Sequence, residues 1–462
     1  MASDPKAPGA SARGPHAPGI VAGRLSDDQY AANFSDLHPP LDDHQALVES
    51  DRCYFCHDAP CTIACPTSID IPMFIRQIQS GNPKGSAATI LNQNIMGGMC
   101  ARVCPTETLC EEVCVRNTAE EKPVQIGLLQ RYATDTLFAD DEQIFERAAE
   151  TGKRVAVVGG GPAGLACAHA LAVRGHAVTV YDSKPKLGGL NEYGIAAYKA
   201  NDSIAQREVD YILGVGGIAV EAGKALGRDL TLGQLRNDYD AVFLGLGLGA
   251  VNALGVEGEE MDGVLDAVEY IAELRQAEDL GSLPVGRRVV VIGGGMTAID
   301  IAVQTKRLGA EEVTIVYRRG EADMKASAYE REVAQTSGVA VKYWAVPVRV
   351  LGEGGRASGI EFEYSEPDGA GGLRGTGERF SLPADMVFKA IGQVFVPDSV
   401  NGAGDSLTLS RGRIVVDEER RSSLPDVWAG GDCIEGGQDL TVAAVEDGKV
   451  AALSIDRALS GR

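Results

Sequence analysis

Between residues 41 and 150 the apolar positions recur with a helical period. Asp70 is a natural N-cap with Pro72 in the first turn, and Ile71, Phe74, Ile75 and Ile78 then share one face until Gly81. A second helix is predicted over Ile126 to Phe138, where Leu129, Ala133 and Leu137 stand four apart. From Arg154 the period changes to strand, glycine turn, helix and strand, in RVAVVGGGPAGLACAHALAVRGHAVTVYD. The same order returns in RRVVVIGGGMTAIDIAVQTKRLGAEEVTIVYRR, so the chain holds an internal repeat of a βαβ unit. Apolar strands in DMVFKAIGQ and DVWAGGD follow, and a last helix begins near Thr441.

The expected fold is α/β. Two Rossmann-like dinucleotide-binding domains, arranged as in disulfide reductases with the NAD(P) domain inserted in the FAD domain, follow an α-helical Fe–S domain. The expected boundaries are 41–150 for the helical domain, 151–284 with 391–462 for the FAD domain, and 285–390 for the NAD(P) domain. Residues 1–40, rich in Pro, Ala and Gly as far as about Leu25, read as a disordered lead-in.

Composition narrows the function class. The formal net charge is −22, a surface that repels phosphate backbones and anionic lipid, so neither nucleic acid nor membrane is an expected partner. No apolar run approaches the ~20 residues of a membrane helix. The N-terminus lacks a basic stretch followed by an apolar one, so a cytoplasmic location is expected. The 57 glycines suit a protein with many tight strand–helix turns.

Eight of the ten cysteines fall between Cys53 and Cys114. In a large, non-secreted enzyme such clustering points to metal ligation. The first run is C-x2-C-x4-C-x3-C-P (Cys53, Cys56, Cys61, Cys65, Pro66), and the second is C-x3-C-P-x4-C-x3-C (Cys100, Cys104, Pro105, Cys110, Cys114). Three close cysteines followed by a Pro-flanked fourth is the spacing in which the fourth serves another [4Fe–4S] cluster. Cys53, Cys56 and Cys61 are therefore expected on one cluster and Cys65 on a second, with cysteines of the later run. The alternative is structural zinc, which favours paired C-x2-C knuckles where this chain has one. Cys167 and Cys433 stand apart and read as packing thiols. No redox-active pair of the disulfide-reductase kind is present, and His57 reads as a surface or outer residue.

Gly159, Gly161 and Gly164 form G-x-G-x-x-G after the strand VAVV, with Pro162 and Ala163 opening the helix. Asp182 closes the next strand, where a carboxylate would accept ribose hydroxyls of FAD. In the second loop, Gly293, Gly295 and Ala298 enclose Met296 and Thr297, and the following strand ends in Arg318 and Arg319. Arginines there suit the 2′-phosphate of NADP(H); alternatively they are solvated surface residues. Asp432 follows a strand and precedes the helix near Thr441, as needed to hold a ribitol hydroxyl and face the flavin with a helix N-terminus. Gly189, Leu190 and Lys199 complete the candidate FAD contacts. Hydride transfer between stacked rings needs orientation, so no catalytic acid or base is expected.

The stretches CYFCHDAPCTIACPTSIDIPMFIRQI and GGMCARVCPTETLCEEVC resemble the N-terminal cluster domain of dihydropyrimidine dehydrogenase. From about Asp51 to the end the chain resembles the separate electron-input subunit of the bacterial enzyme. The small subunit of glutamate synthase shares the architecture, and HDAPC with CPTSIDIP favours the pyrimidine family. The resemblance implies one cluster on Cys53, Cys56, Cys61 and Cys114. It implies a second on Cys65, Cys104, Cys110 and Gln130 of IGLLQRY, leaving Cys100 spare; glutamate synthase subunits tend to carry Glu in place of Gln130. It departs from the family at GIAAYKAN (Gly194 to Asn201), where Lys199 keeps the positive charge, and at Met296, where many relatives have Asn or Asp. It further implies an FMN- and Fe–S-containing partner in a heterotetramer, on which uracil or thymine is reduced to the 5,6-dihydropyrimidine. A glutamate synthase small subunit and a non-catalytic cluster scaffold are the competing readings.

Overall fold

The computed structural model describes residues 20–397, 400 and 406–461. They fall into two units. The larger gathers Asp36–Ile195, Lys199–Ala250 and the chain from Gln393 on; the smaller holds the described residues up to Ser35, Ala196–Tyr198 and Val251–Gly392. Among the described residues no helix is long and apolar enough to cross a membrane.

In the larger unit the helices form where capping and periodicity coincide. Asp70 accepts from the Met73 N–H at 3.1 Å and opens the Ile71–Gln79 helix, which buries Ile71, Phe74, Ile75 and Ile78. Ile126–Ala139 buries Leu129, Ala133 and Leu137. These faces pack into one hydrophobic core with the flavin-side elements, among them Leu165, Val178, Ile204, Trp428 and Ile455. A five-stranded parallel sheet runs in the order Val427–Ala429, Ala241–Leu244, Arg154–Val158, Ala177–Asp182, Ile218–Ala222. The strand from the C-terminal piece thus pairs with Ala241–Leu244, and two distant stretches of sequence build one sheet.

The smaller unit repeats the parallel design in the order Val264–Asp266, Met386–Lys389, Arg288–Ile292, Glu312–Val316, Ala340–Lys342. It adds an antiparallel meander, Ala345–Glu353, Arg356–Pro367 and Leu373–Pro383, that the sequence reading did not anticipate. The expected lead-in is also corrected. Its first nineteen residues lie outside the described ones, but Val21 bridges Gly286 and a helix runs over Asp27–Asn33. Ser26 and Gln29 close a capping box there, Tyr30 is buried, and Asn33 and Arg307 exchange side-chain-to-carbonyl bonds. One cap and one aromatic anchor order a segment whose composition reads as loose.

One buried acid in the larger unit carries a stability prediction. Glu208, on Ile204–Leu213, accepts from Gly98 N at 2.6 Å and Met99 N at 3.1 Å, and its second oxygen has no partner among the described residues. Burial pushes its carboxyl up to about 8. The unfolded chain releases that proton near 4.5, so between those values only the folded state keeps it, and stability falls as pH rises. Melting temperatures measured from about pH 5 to 9 should therefore decline in the native chain. Glu208→Gln should flatten the decline, because the amide oxygen still accepts both N–H groups; an unchanged slope would refute the effect.

Candidate functional site

Two thiol-lined recesses open in the helical half of the larger unit. Pro60 starts the Pro60–Ala64 helix, which carries Cys61, and Cys65 is its C-cap with extended backbone (φ −78°, ψ 119°). That change of direction separates two cysteines only four residues apart. Cys104 caps Gly97–Val103 in the same way (φ −63°, ψ 133°), and Cys114 stands at the head of Val115–Glu120.

Cys53, Cys56, Cys61 and Cys114 line the first recess, whose empty volume is about 380 Å³. Cys65, Cys104, Cys110 and Gln130 line the second, of about 390 Å³, together with Cys100 and Asn94. Ile71 and Ile126, the first residues of the two predicted helices, face both recesses and form their common wall. The Gln130 Nε2 donates to the Gly97 carbonyl at 2.6 Å, a tether that leaves Oε1 as the amide atom for the recess. Cys100 is buried in the second wall and shares a side-chain hydrogen bond with Cys104.

The donors fit clusters. Burial, and then the neighbouring Cys53 and Cys114, push the Cys61 thiol up to about 12; burial and then Glu111 and Cys65 also raise Cys110. Thiols raised in this way are held as thiolates by a cationic core between them. Among the described residues no three His, Cys, Asp or Glu side chains converge closely enough to hold one metal ion. In the second recess the fully buried Asn94 Nδ2 also lacks a partner among the described residues.

On the flavin side, Gly159 has φ +103°, and a Cβ on Gly164 would collide with the Gly159 carbonyl oxygen. Both positions therefore demand glycine, and the Pro162–Val173 helix meets its strand at backbone distance. Gly161 is the N-cap of that helix, and Gly189, at φ +54°, lies against it as the N-cap of Leu190–Tyr193. Asp182 accepts from Gly160 N and Lys184 N, both at 2.7 Å, so it ties the glycine loop as well as facing it. The Thr441–Ser460 helix crosses Pro162–Val173 so closely that a Cβ on Gly448 would meet the Ala163 carbonyl. Thr441 donates to Asn191 Oδ1 at 2.7 Å, while Val442, the next residue, lines the second thiol recess. Burial, with Asp439 and Asp447 adding repulsion, pushes Asp432 up to about 7. Lys199 is buried within electrostatic reach of His38. Cys167 and Cys433 are fully buried, and His57 is exposed.

In the smaller unit Gly293 has φ +149°, and a Cβ there would strike the Ala390 carbonyl. Gly295 is the N-cap of Met296–Arg307, with open space where a side chain would be, and Ala298 is buried. Met296 and Thr297 form its first turn, half-buried. Arg318 is exposed and Arg319 half-buried; among the described residues neither guanidinium pairs with a carboxylate. The sequence reading missed Asn94, Asn191 and Val442, which no motif marks.

Comparisons with known proteins give the family of each part of the chain. Residues 153–448 match the pyridine nucleotide-disulphide oxidoreductase family, and residues 30–142 match dihydropyrimidine dehydrogenase domain II, 4Fe–4S cluster. The small chain of NADPH glutamate synthase from Escherichia coli is 36% identical over 441 residues, 91% of this chain and 92% of the relative. The NAD-dependent dihydropyrimidine dehydrogenase subunit PreT from Salmonella typhimurium is 34% identical over 422 residues, 91% and 96% of the two chains. Among solved structures, FprA of Mycobacterium tuberculosis in complex with NADPH aligns with a TM-score of 0.56 at 20% identity, covering 67% of this chain and 85% of that one. Thioredoxin reductase of T. acidophilum aligns at 0.53 and 22% identity, covering 66% and 98%; both show the shared fold. The chain belongs to the pyridine nucleotide-disulphide oxidoreductase family, as an FAD- and NAD(P)-dependent oxidoreductase with a [4Fe–4S] domain ahead of its flavin domain.

Proposed function

We propose that this chain is the electron-input subunit of an NAD(P)-dependent dihydropyrimidine dehydrogenase. NAD(P)H reduces it, and it delivers single electrons to an FMN- and Fe–S-containing partner that converts uracil or thymine to the 5,6-dihydropyrimidine. The observation that carries this reading is the tethered amide of Gln130 in the second recess, beside Cys65, Cys104, Cys110 and a fourth thiol, Cys100, that bonds to Cys104. The resemblance gives Gln to the pyrimidine family at that place and Glu to glutamate synthase. The latter remains the second reading, because its small chain is 36% identical.

Within that reading, Cys53, Cys56, Cys61 and Cys114 hold one cluster, and Cys65, Cys104, Cys110 and Gln130 the other. Gly159, Gly161, Pro162, Ala163 and Gly164 bring a helix N-terminus to the FAD pyrophosphate, and Asp182 takes the ribose. Gly189 and Leu190 close over that loop, and Asp432, Lys199 and the head of the Thr441 helix face the flavin. Gly293, Gly295, Met296, Thr297 and Ala298 seat the nicotinamide dinucleotide. When bound, the flavin would supply two-to-one electron conversion: one hydride in, its two electrons out singly to the clusters and its proton to solvent. The residues themselves orient the rings, exclude water and move no proton. Thr441 and Val442, adjacent in sequence, join the flavin side to the wall of the second recess, which supports that recess as the first stop.

The unpaired Arg318 and Arg319 favour NADPH over NADH. The test is to co-express the chain anaerobically with an FMN-containing partner and follow NADPH and NADH oxidation. Uracil or thymine serves as acceptor in one set, and 2-oxoglutarate with glutamine in the other. Pyrimidine-dependent oxidation that needs both chains is the expected result; oxidation driven only by 2-oxoglutarate and glutamine would overturn it. Arg318→Ala with Arg319→Ala should raise KM for NADPH about 10–100-fold and leave NADH little changed, the 2′-phosphate losing charge-assisted contacts worth ~1.5–3 kcal/mol in all.

A further inference from the structure

Asn94 is completely buried, lines the second thiol recess and follows no recognisable motif. Its Oδ1 accepts from the Met96 N–H at 3.1 Å. A backbone N–H can only be met by the oxygen, so the amide cannot be turned over. Its Nδ2 is left with two hydrogens and no acceptor among the described residues. A buried amide donor without a partner is costly, and such a cost is rarely carried without an acceptor. Around Asn94 the wall offers Cys65, Cys100, Cys104 and Cys110, the oxygens of Thr106 and Gln130, and otherwise aliphatic and proline side chains and a glycine. None of those protein atoms accepts from Nδ2, which leaves the sulfurs of a cluster as the acceptors for it.

We infer that Asn94 donates an N–H···S hydrogen bond to the cluster of the second recess and sets its reduction potential above the value the four ligands alone would give. This rests on the reading of the recess as a cluster site. Reduction adds negative charge that spreads over the sulfurs, and a donor aimed at sulfur stabilises the reduced form more than the oxidised one. The first recess differs in kind. Its polar wall residues, Tyr54 and Arg116, are both engaged elsewhere: the Tyr54 hydroxyl donates to Glu120, and the Arg116 guanidinium to Glu120 and the Arg52 carbonyl. The effect of Asn94 is therefore confined to one cluster. That cluster adjoins Val442 and the flavin-side helix, so a raised potential favours withdrawal of electrons from the flavin.

The test is a dithionite titration of the full chain, with redox mediators, followed by electron paramagnetic resonance and accompanied by iron analysis. Asn94→Asp keeps the oxygen that caps Met96 and replaces the donor with a carboxylate oxygen; Asn94→Ala removes both. One cluster signal should move to lower potential in each variant, its reduced-to-oxidised ratio at a fixed potential falling about tenfold, or about 59 mV for a one-electron couple. The other signal should stay in place and the iron content should be unchanged. Equal potentials in the native chain and both variants would overturn the inference, as would loss of iron in both. A native chain that carries no cluster signal would instead sink the reading of the recesses themselves.

Discussion

Cys61→Ala and Cys110→Ala should each remove about half of the bound iron and leave FAD in place. The two cysteines line different recesses, so each substitution leaves the other set of donors whole. A cubane held by three ligands in a buried cage exposes one iron and is lost or degraded. Electron delivery to the partner should then fall by more than the roughly 10–100-fold that loss of an outer hydrogen-bond partner costs a metal site. NAD(P)H oxidation by a small dye acceptor that draws directly on the flavin should survive. Iron analysis, the flavin spectrum and the two assays separate these effects. Loss of all iron from either variant would show that the recesses do not fill independently.

Gly164→Val should abolish FAD binding. At Gly164 even one added carbon meets the Gly159 carbonyl, and both partners are backbone, so neither can swing away. The Pro162–Val173 helix would have to retreat from its strand, taking its N-terminal N–H groups out of reach of a pyrophosphate. The far side of that helix gives no room either, because it packs on Thr441–Ser460 where Gly448 faces the Ala163 carbonyl. Overpacking of this kind costs about 1–3 kcal/mol or more. The purified variant should be colourless in the flavin region and melt below the native chain. A yellow variant with native FAD content would refute the argument. Gly295→Ala, at a position with open space beside it, is the matching control in the smaller unit and should perturb far less.

Much of this was legible in the sequence, for physical reasons that can be named. The Ile71–Gln79 helix announces itself through an N-cap, a first-turn proline and four apolar residues on one face. The glycine loops are legible because Gly159 and Gly164 have no substitute at backbone contact. The antiparallel meander was not legible. Its solvent face carries cross-strand pairs such as Arg349 with Glu361 and Arg374 with Glu366, so apolar positions are too sparse to show a period. Bulges at Pro347 and Leu351 disturb what alternation remains. Gln130 came from resemblance alone, since nothing in a glutamine's spacing marks a ligand. Glu208 and Gly98 lie 110 residues apart, and Thr441 and Asn191 lie 250 apart. Such pairs belong to the folded chain.

The cluster-bearing helices and the flavin-side helices share a single hydrophobic core, in which Met99, Leu129 and Phe138 pack with Leu165, Ile204 and Ile455. Metal supply and the fate of the whole polypeptide are thereby linked. In an iron-starved cell a newly made chain would keep crowded thiols with no cluster between them, and any loosening of those helices would pass through the common packing to the flavin half. Proteases that sample loosened cores would meet both halves at once. Such a cell would accumulate little chain of any kind, in preference to a pool of half-assembled flavoprotein leaking electrons to oxygen.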